Sequence, residues 1–168
     1  SATPEFFGGI NTMLQYKGIS LSANLIYSYG NYIFDGRARG SLADGRLTPR
    51  STATFIYNNR WVPGKTDALG PRFIWGGSPG SGERANSRWL FDGSYMRLRD
   101  LTLAYNIPQA VISSLNLGSV RVFARGTNLL TFVKEKNLYI DPEQAIDGTY
   151  TGQTPAIRTV SLGIDIQL

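Results

Sequence analysis

Two acidic residues either side of a proline, Asp141-Pro142-Glu143, are the nearest thing in this sequence to a chemical site. Such carboxylates could hold Ca²⁺ together with backbone oxygens. Glycoside cleavage instead needs two carboxylates facing each other across a cleft, and the sequence holds no convincing pair. The run Gly76-Gly77-Ser78-Pro79-Gly80-Ser81-Gly82 lacks the Lys-Ser/Thr of a phosphate loop and opens no helix, so a nucleotide site is rejected. The chain has neither His nor Cys. That removes the commonest general base, the commonest metal ligand, every thiolate nucleophile and every disulfide. No residue is assigned a catalytic role, and beyond the calcium option neither a metal nor a cofactor is expected.

The elements that would carry these residues are strands. The 168 residues suffice for one ordinary domain, and the whole chain is read as one unit. Charged residues are only 17% of the chain, few for a soluble domain of this size. The net charge is +5, but the arginines are scattered and form no nucleic-acid stripe. No stretch approaches the roughly 18 apolar residues of a membrane-spanning helix, and no signal peptide opens the chain at Ser1.

Alternation dominates. From Thr159 to Leu168, Val160, Leu162, Ile164, Ile166 and Leu168 alternate with Thr159, Ser161, Gly163, Asp165 and Gln167. Period two gives a strand one apolar and one polar face. The start of the chain reads as a hairpin. Ile10, Thr12, Leu14 and Tyr16 share one face, Lys17-Gly18 make a tight turn, and Ile19, Leu21, Ala23, Leu25, Tyr27 and Tyr29 continue that face. Ser20, Ser22, Asn24, Ile26, Ser28 and Gly30 lie opposite. Such small uncharged residues suit a wet lumen better than an exposed globular surface. Tyr27, Tyr29 and Tyr32 at the strand end read as an aromatic girdle at a membrane interface.

A third strand is predicted from about Trp89 to Ile107. Leu101, Leu103 and Tyr105 share one parity, Met96 and Leu98 the other, and a β-bulge near Arg99 reconciles them. Arg97 and Arg99 beside it are expected to anchor loops through carboxylates or backbone carbonyls. Pro108 ends the strand, and residues 108–117 have room for one helical turn. The fourth strand is Ser119 to Phe132, with Arg121 and Arg125 facing water. Residues 35–88 are predicted to be a long irregular loop and residues 134–155 a second one. The two short turns then share one end and the two long loops the other. Long loops on one side and short turns on the other are the habit of outer-membrane barrels, and the C-terminus falls on the short-turn side. By the same count the chain opens in a loop, as a piece of a longer protein would.

Several blocks resemble one family. Asp92-Gly93-Ser94-Tyr95-Met96-Arg97-Leu98-Arg99-Asp100-Leu101-Thr102-Leu103-Ala104-Tyr105-Asn106-Ile107-Pro108 resembles the SusC/RagA pattern of TonB-dependent outer-membrane transporters. So does Arg121-Val122-Phe123-Ala124-Arg125-Gly126-Thr127-Asn128-Leu129-Leu130-Thr131-Phe132. Pro4-Glu5-Phe6-Phe7-Gly8-Gly9 with Tyr16-Lys17-Gly18, Asn59-Arg60-Trp61 with Pro63-Gly64, and Asp141-Pro142-Glu143 follow the family in the same order. The family's barrels usually end in an aromatic residue, where this chain has Leu168.

The resemblance implies an all-β fold: the last five or so antiparallel, up-and-down strands of a transmembrane β-barrel of about 22. Long loops would be extracellular and short turns periplasmic. It implies import of glycans or peptides across the cell outer membrane. Implied partners are the rest of the barrel and its plug, a SusD-like surface lipoprotein, TonB acting through the plug, an oligosaccharide or peptide substrate and outer-membrane lipids, with no nucleic acid. The residues expected to touch a ligand or partner are Trp61, Trp75, Tyr139, Asp141 and Glu143. The competing reading is a soluble β-sandwich carbohydrate-binding module, whose apolar rows would close a dry core.

Overall fold

The computed structural model describes residues 1–37, 54–68, 70–76, 87–115, 117–136, 138–144 and 147–168. Five long strands form one antiparallel sheet. They are β1 (Phe6–Tyr16), β2 (Ile19–Tyr29), β5 (Tyr95–Asn106), β6 (Ser119–Val133) and β8 (Thr159–Gln167), in spatial order β1-β2-β5-β6-β8. Three short strands, β3 (Tyr32–Asp35), β4 (Leu90–Asp92) and β7 (Thr149–Tyr150), form a second sheet in the order β4-β3-β7. The long strands run 9 to 15 residues, which meets the roughly 9–11 a tilted strand needs to cross lipid.

Register carries the alternation across the whole sheet. Leu14 pairs with Leu21, Leu21 with Leu103, Leu103 with Ala124 and Ala124 with Leu162. One row further on, Tyr16, Ile19, Tyr105, Val122 and Ile164 line up. Because side chains alternate with period two, these rows make one continuous apolar face. The opposite face carries Asn11, Ser20, Ser22, Asn24, Thr102, Arg121, Arg125, Ser161 and Asp165.

Among the described residues no second layer covers the apolar face. Ile10, Leu162 and Ile164 are 61%, 81% and 64% exposed. Aromatic residues mark both of its ends. Phe6, Tyr27, Tyr29 and Phe132 stand at the long-loop end, and Tyr16 and Tyr105 at the turn end. Along β2 the two groups are about 30 Å apart, near the ~25 Å apolar band of an outer-membrane barrel once the strands tilt. Tyr32 is not part of this girdle: β2 ends at Tyr29, Gly30 turns the chain with φ 86°, and Tyr32 belongs to the small sheet.

Two departures from strict alternation are built in. Relative to β2, Arg99 is an extra residue between Leu98 and Asp100. This is the expected bulge, and it returns Leu101 to the face of Leu98. Opposite it, β6 spends two residues, Asn128 and Leu129, and Asn128 sits at φ 52°. Asn is one of the few side chains that tolerate that left-handed region.

The third strand is not continuous from Trp89. Leu90–Asp92 pairs with β3, and the chain breaks at Gly93-Ser94 before β5 begins at Tyr95. Asp92 makes the break: its carboxylate accepts the Ser94 N–H, and the Gly93 N–H is taken by the Asn31 carbonyl. Nor is the first long loop wholly irregular. Among its described residues are a short helix at Thr54–Asn59 and a bridge between Arg60 and Gly70, and β3 and β4 flank it at its two ends. The side chain of Phe55 and residues 77–82 of the Gly-rich run lie outside the described residues.

The short connections behave as read. Lys17 and Gly18 both have positive φ, 46° and 84°, the two-residue hairpin turn that matches strand twist. After Pro108, Gln109–Ile112 form one helical turn that buries Ile112. These connections and Gln167 share one end of the sheet.

Candidate functional site: a loop clamp on the polar face

On the polar face of β5, above the bulge, Arg97 is 2% exposed. A guanidinium that deep must be matched, or its desolvation is not offset. Each of its three nitrogens donates. Nε donates to Thr131 Oγ1 at 3.0 Å, Nη1 to Glu143 Oε2 at 2.6 Å and Nη2 to Asp141 Oδ1 at 2.5 Å. The other Glu143 oxygen accepts from Arg99. Arg99 is on this side because the bulge holds it there.

The loop is shaped to meet the arginine. Asp141 Oδ1 also accepts the Glu143 N–H at 3.1 Å, a turn that an Asp makes with the residue two ahead. Pro142 between them starts a 3₁₀ turn over Pro142–Gln144, for which its fixed φ is suited. Asp141 Oδ2 accepts the Ala156 N–H at 2.9 Å, from the returning leg of the same loop. One carboxylate therefore ties the outgoing leg, the returning leg and the barrel strand together. Calcium at this carboxylate pair would have to compete with both guanidinium groups.

Next to the clamp a small core forms. Ile33 of β3 is fully buried, Tyr150 of β7 is nearly so, and Ile140 packs against them. Ile140 faces inward, and its neighbour Tyr139 is 68% exposed. β3 and β7 run parallel, with the Phe34 N–H donating to the Gly148 carbonyl at 2.7 Å.

A second tie closes the loop base. Lys134 Nζ lies 2.7 Å from the Asp92 carboxylate and 4.8 Å from the Tyr29 ring centre. Burial alone would push the Asp92 carboxyl up. Hydrogen bonds from Lys134 and Ser94 outweigh it and hold the group below its ordinary value. The Asp92 hydrogen bond in turn holds the Lys134 ammonium above its own.

Lower on the polar face, charges pair across strands. Arg125 donates to Asp100 from Nε at 3.0 Å and Nη2 at 2.6 Å, and Arg121 is 3.7 Å from Asp165. Phe123, between Arg121 and Arg125 on the polar face, lies over Gly163, where any Cβ would overlap it.

Of the five expected contact residues, the structure brings Asp141 and Glu143 together, at Arg97. Trp61 and Trp75 stand elsewhere, on the loop segment 54–76, 40% and 87% exposed. There the Trp61 N–H donates to the Gly70 carbonyl, Tyr57 and Phe73 meet edge to face, and Arg60 sits 3.9 Å over the Tyr57 ring. Sequence reasoning placed Arg97 and Arg99 as loop anchors but did not connect them to Asp141 and Glu143. Two arginines and two acids, each in its own recurring block, were the available signal. It missed Ala156, Lys134 and the Ile33 core.

No protein-family model matches the sequence. Two curated relatives do. "TonB-dependent receptor P3" of Formosa agariphila is 32% identical across 98% of this chain, and "TonB-dependent receptor P26" of the same organism 28% across 99%. A structure of the RagAB peptide importer in its closed-closed state superposes over 99% of the chain with a TM-score of 0.80 and 28% identity. The chain belongs to the SusC/RagA type of TonB-dependent receptor.

A RagAB structure in the open-open state matches over the whole chain with a TM-score of 0.79 and 26% identity. This SusC/RagA-type chain spans 16% and 17% of the two curated relatives and 17% and 18% of the two structures' chains. Its sheet is a segment of an antiparallel transmembrane β-barrel wall.

Proposed function

We propose that this chain forms the final barrel strands and outer loops of an outer-membrane, TonB-dependent nutrient importer. The uncovered apolar face carries the reading. Five strands expose one contiguous apolar surface, and the face behind it holds small polar groups and paired charges. In lipid such a sheet needs closure, because the edge N–H and C=O groups of β1 and β8 would otherwise have no partners. β1 and β8 each pair with a neighbouring strand of the same barrel. The polar face lines the bore around a plug through which TonB acts, and the C-terminus lies in the periplasm.

The clamp holds the last outer loop over the mouth of the bore. Trp61, Trp75 and Tyr139 offer flat faces to an oligosaccharide or peptide, or to a SusD-like surface lipoprotein. Asp141 and Glu143 act one step removed, by fixing the loop that presents Tyr139. The soluble sandwich is disfavoured by the same exposed rows, since a sandwich closes a second sheet over them. Expressed by itself, the chain is expected to need detergent. A stable, cooperatively melting monomer in plain buffer would restore the sandwich reading.

A further inference from the structure

The last outer loop is fastened at two places that differ in kind. At one, Asp141 and Glu143 hold Arg97 and Arg99 on the barrel strand. At the other, β7 supplies the edge partner of β3, and Tyr150 and Ile140 cover Ile33. The second attachment is small. Two residue pairs and one short hydrophobic cluster could not hold a loop of this length unaided. The first is centred on a buried ion pair, Arg97 with Asp141, whose members are costly to separate one at a time.

We propose that the described parts of this loop, Leu138–Gln144 and Asp147–Gln153, form a strap locked by Arg97 and released as a unit. Release at the clamp removes the Gly148 carbonyl from the Phe34 N–H and uncovers Ile33. The β3 edge is then left with its Phe34 N–H unpaired beside an apolar side chain, while the Tyr32 N–H stays on the Ser1 carbonyl. Arg97 is thus a positioning residue for a surface that it does not touch. The inference rests on the clamp and on the β3–β7 pairing, whichever solute is imported.

The test is amide hydrogen exchange on the full-length transporter in native outer-membrane vesicles, comparing wild type with Arg97→Gln. Exchange at Phe34 and at residues 147–150 is expected to rise together by roughly tenfold or more, with residues 101–105 of β5 unchanged as a check on the barrel. Asp141→Asn and Glu143→Gln leave β5 intact and should raise the same two segments by smaller factors. They serve if Arg97→Gln fails to insert. Faster exchange confined to residues 138–144, with Phe34 unmoved in every variant that inserts, overturns the strap. No change anywhere overturns it as well. Neither result bears on whether the sheet faces lipid.

Discussion

Arg97 and Asp141 are 44 positions apart in the sequence and 2.5 Å apart in space, both with buried side chains, across the boundary between barrel wall and long loop. Their contact turns a two-faced wall strand into a foundation for the loop. The buried charge, the Asp-Pro-Glu turn and the Ala156 amide satisfy one another, so removing different members should have unequal costs. Asp141→Ala leaves Nη2 of the buried Arg97 and two backbone N–H groups without their acceptor and is expected to cost roughly 3–5 kcal/mol locally. The double variant Arg97→Met/Asp141→Asn strands less and should loosen the loop less. Protease nicking within residues 138–156 of the inserted transporter measures the order. Equal rates in both variants would refute it.

The ring of Phe123 occupies the space above Gly163. Gly163→Ala should therefore destabilise the wall by about 1–3 kcal/mol through overpacking. Phe123→Ala should remove most of that penalty when combined with it. A double-mutant cycle on urea unfolding in a bilayer reads the coupling, and purely additive effects would contradict the contact.

Much of the fold was legible because alternation and membrane strands share one period. β1, β2, β6 and β8 could be read to within a few residues. The bulge at Arg99 was readable because Met96 and Leu98 change parity against Leu101. The small sheet was not readable. β3, β4 and β7 are two to four residues long, too short for a period, and β3 pairs with a strand more than a hundred positions away. Asp92 and Gly93 read as part of one strand from Trp89, yet the Asp92 side chain accepts the Ser94 N–H and breaks it. At the candidate site the residue types were visible, but which acid meets which arginine depends on how the loop folds back.

The Asp92–Lys134 tie has a defined pH window. Asp92 is depressed, so its contribution is complete above the ordinary carboxylate value and is lost as pH falls through its lower folded value. Lys134 is raised, so its contribution is complete below the ordinary ammonium value and is lost as pH rises through its higher one. The tie should be unchanged between about pH 5 and 9 and weaken below about pH 4. Protection of the Lys134 amide, corrected for intrinsic exchange, reports it through the bond to the Ser94 carbonyl. Asp92→Asn should abolish the acid limb. A midpoint near neutrality would contradict the assignment.

The two faces should answer oppositely to charge. Leu103→Arg, in the middle of the apolar face, is expected to destabilise the inserted barrel by roughly 2–4 kcal/mol. Ser22→Arg on the polar face should cost under about 1 kcal/mol, since a lumen can hydrate it. Folding yield into bilayers of defined thickness measures both, and similar losses for the two would undermine the facing.

The most direct test follows single cysteines placed in turn from Thr159 to Gln167 of the full-length transporter, labelled with a fluorophore and reconstituted in lipid. Val160, Leu162, Ile164 and Ile166 should be quenched by brominated acyl chains, and Ser161, Asp165 and Gln167 by water-soluble iodide, alternating along the strand. Loss of that alternation, or protection of the apolar positions from both quenchers, would contradict the claim that this face meets the membrane.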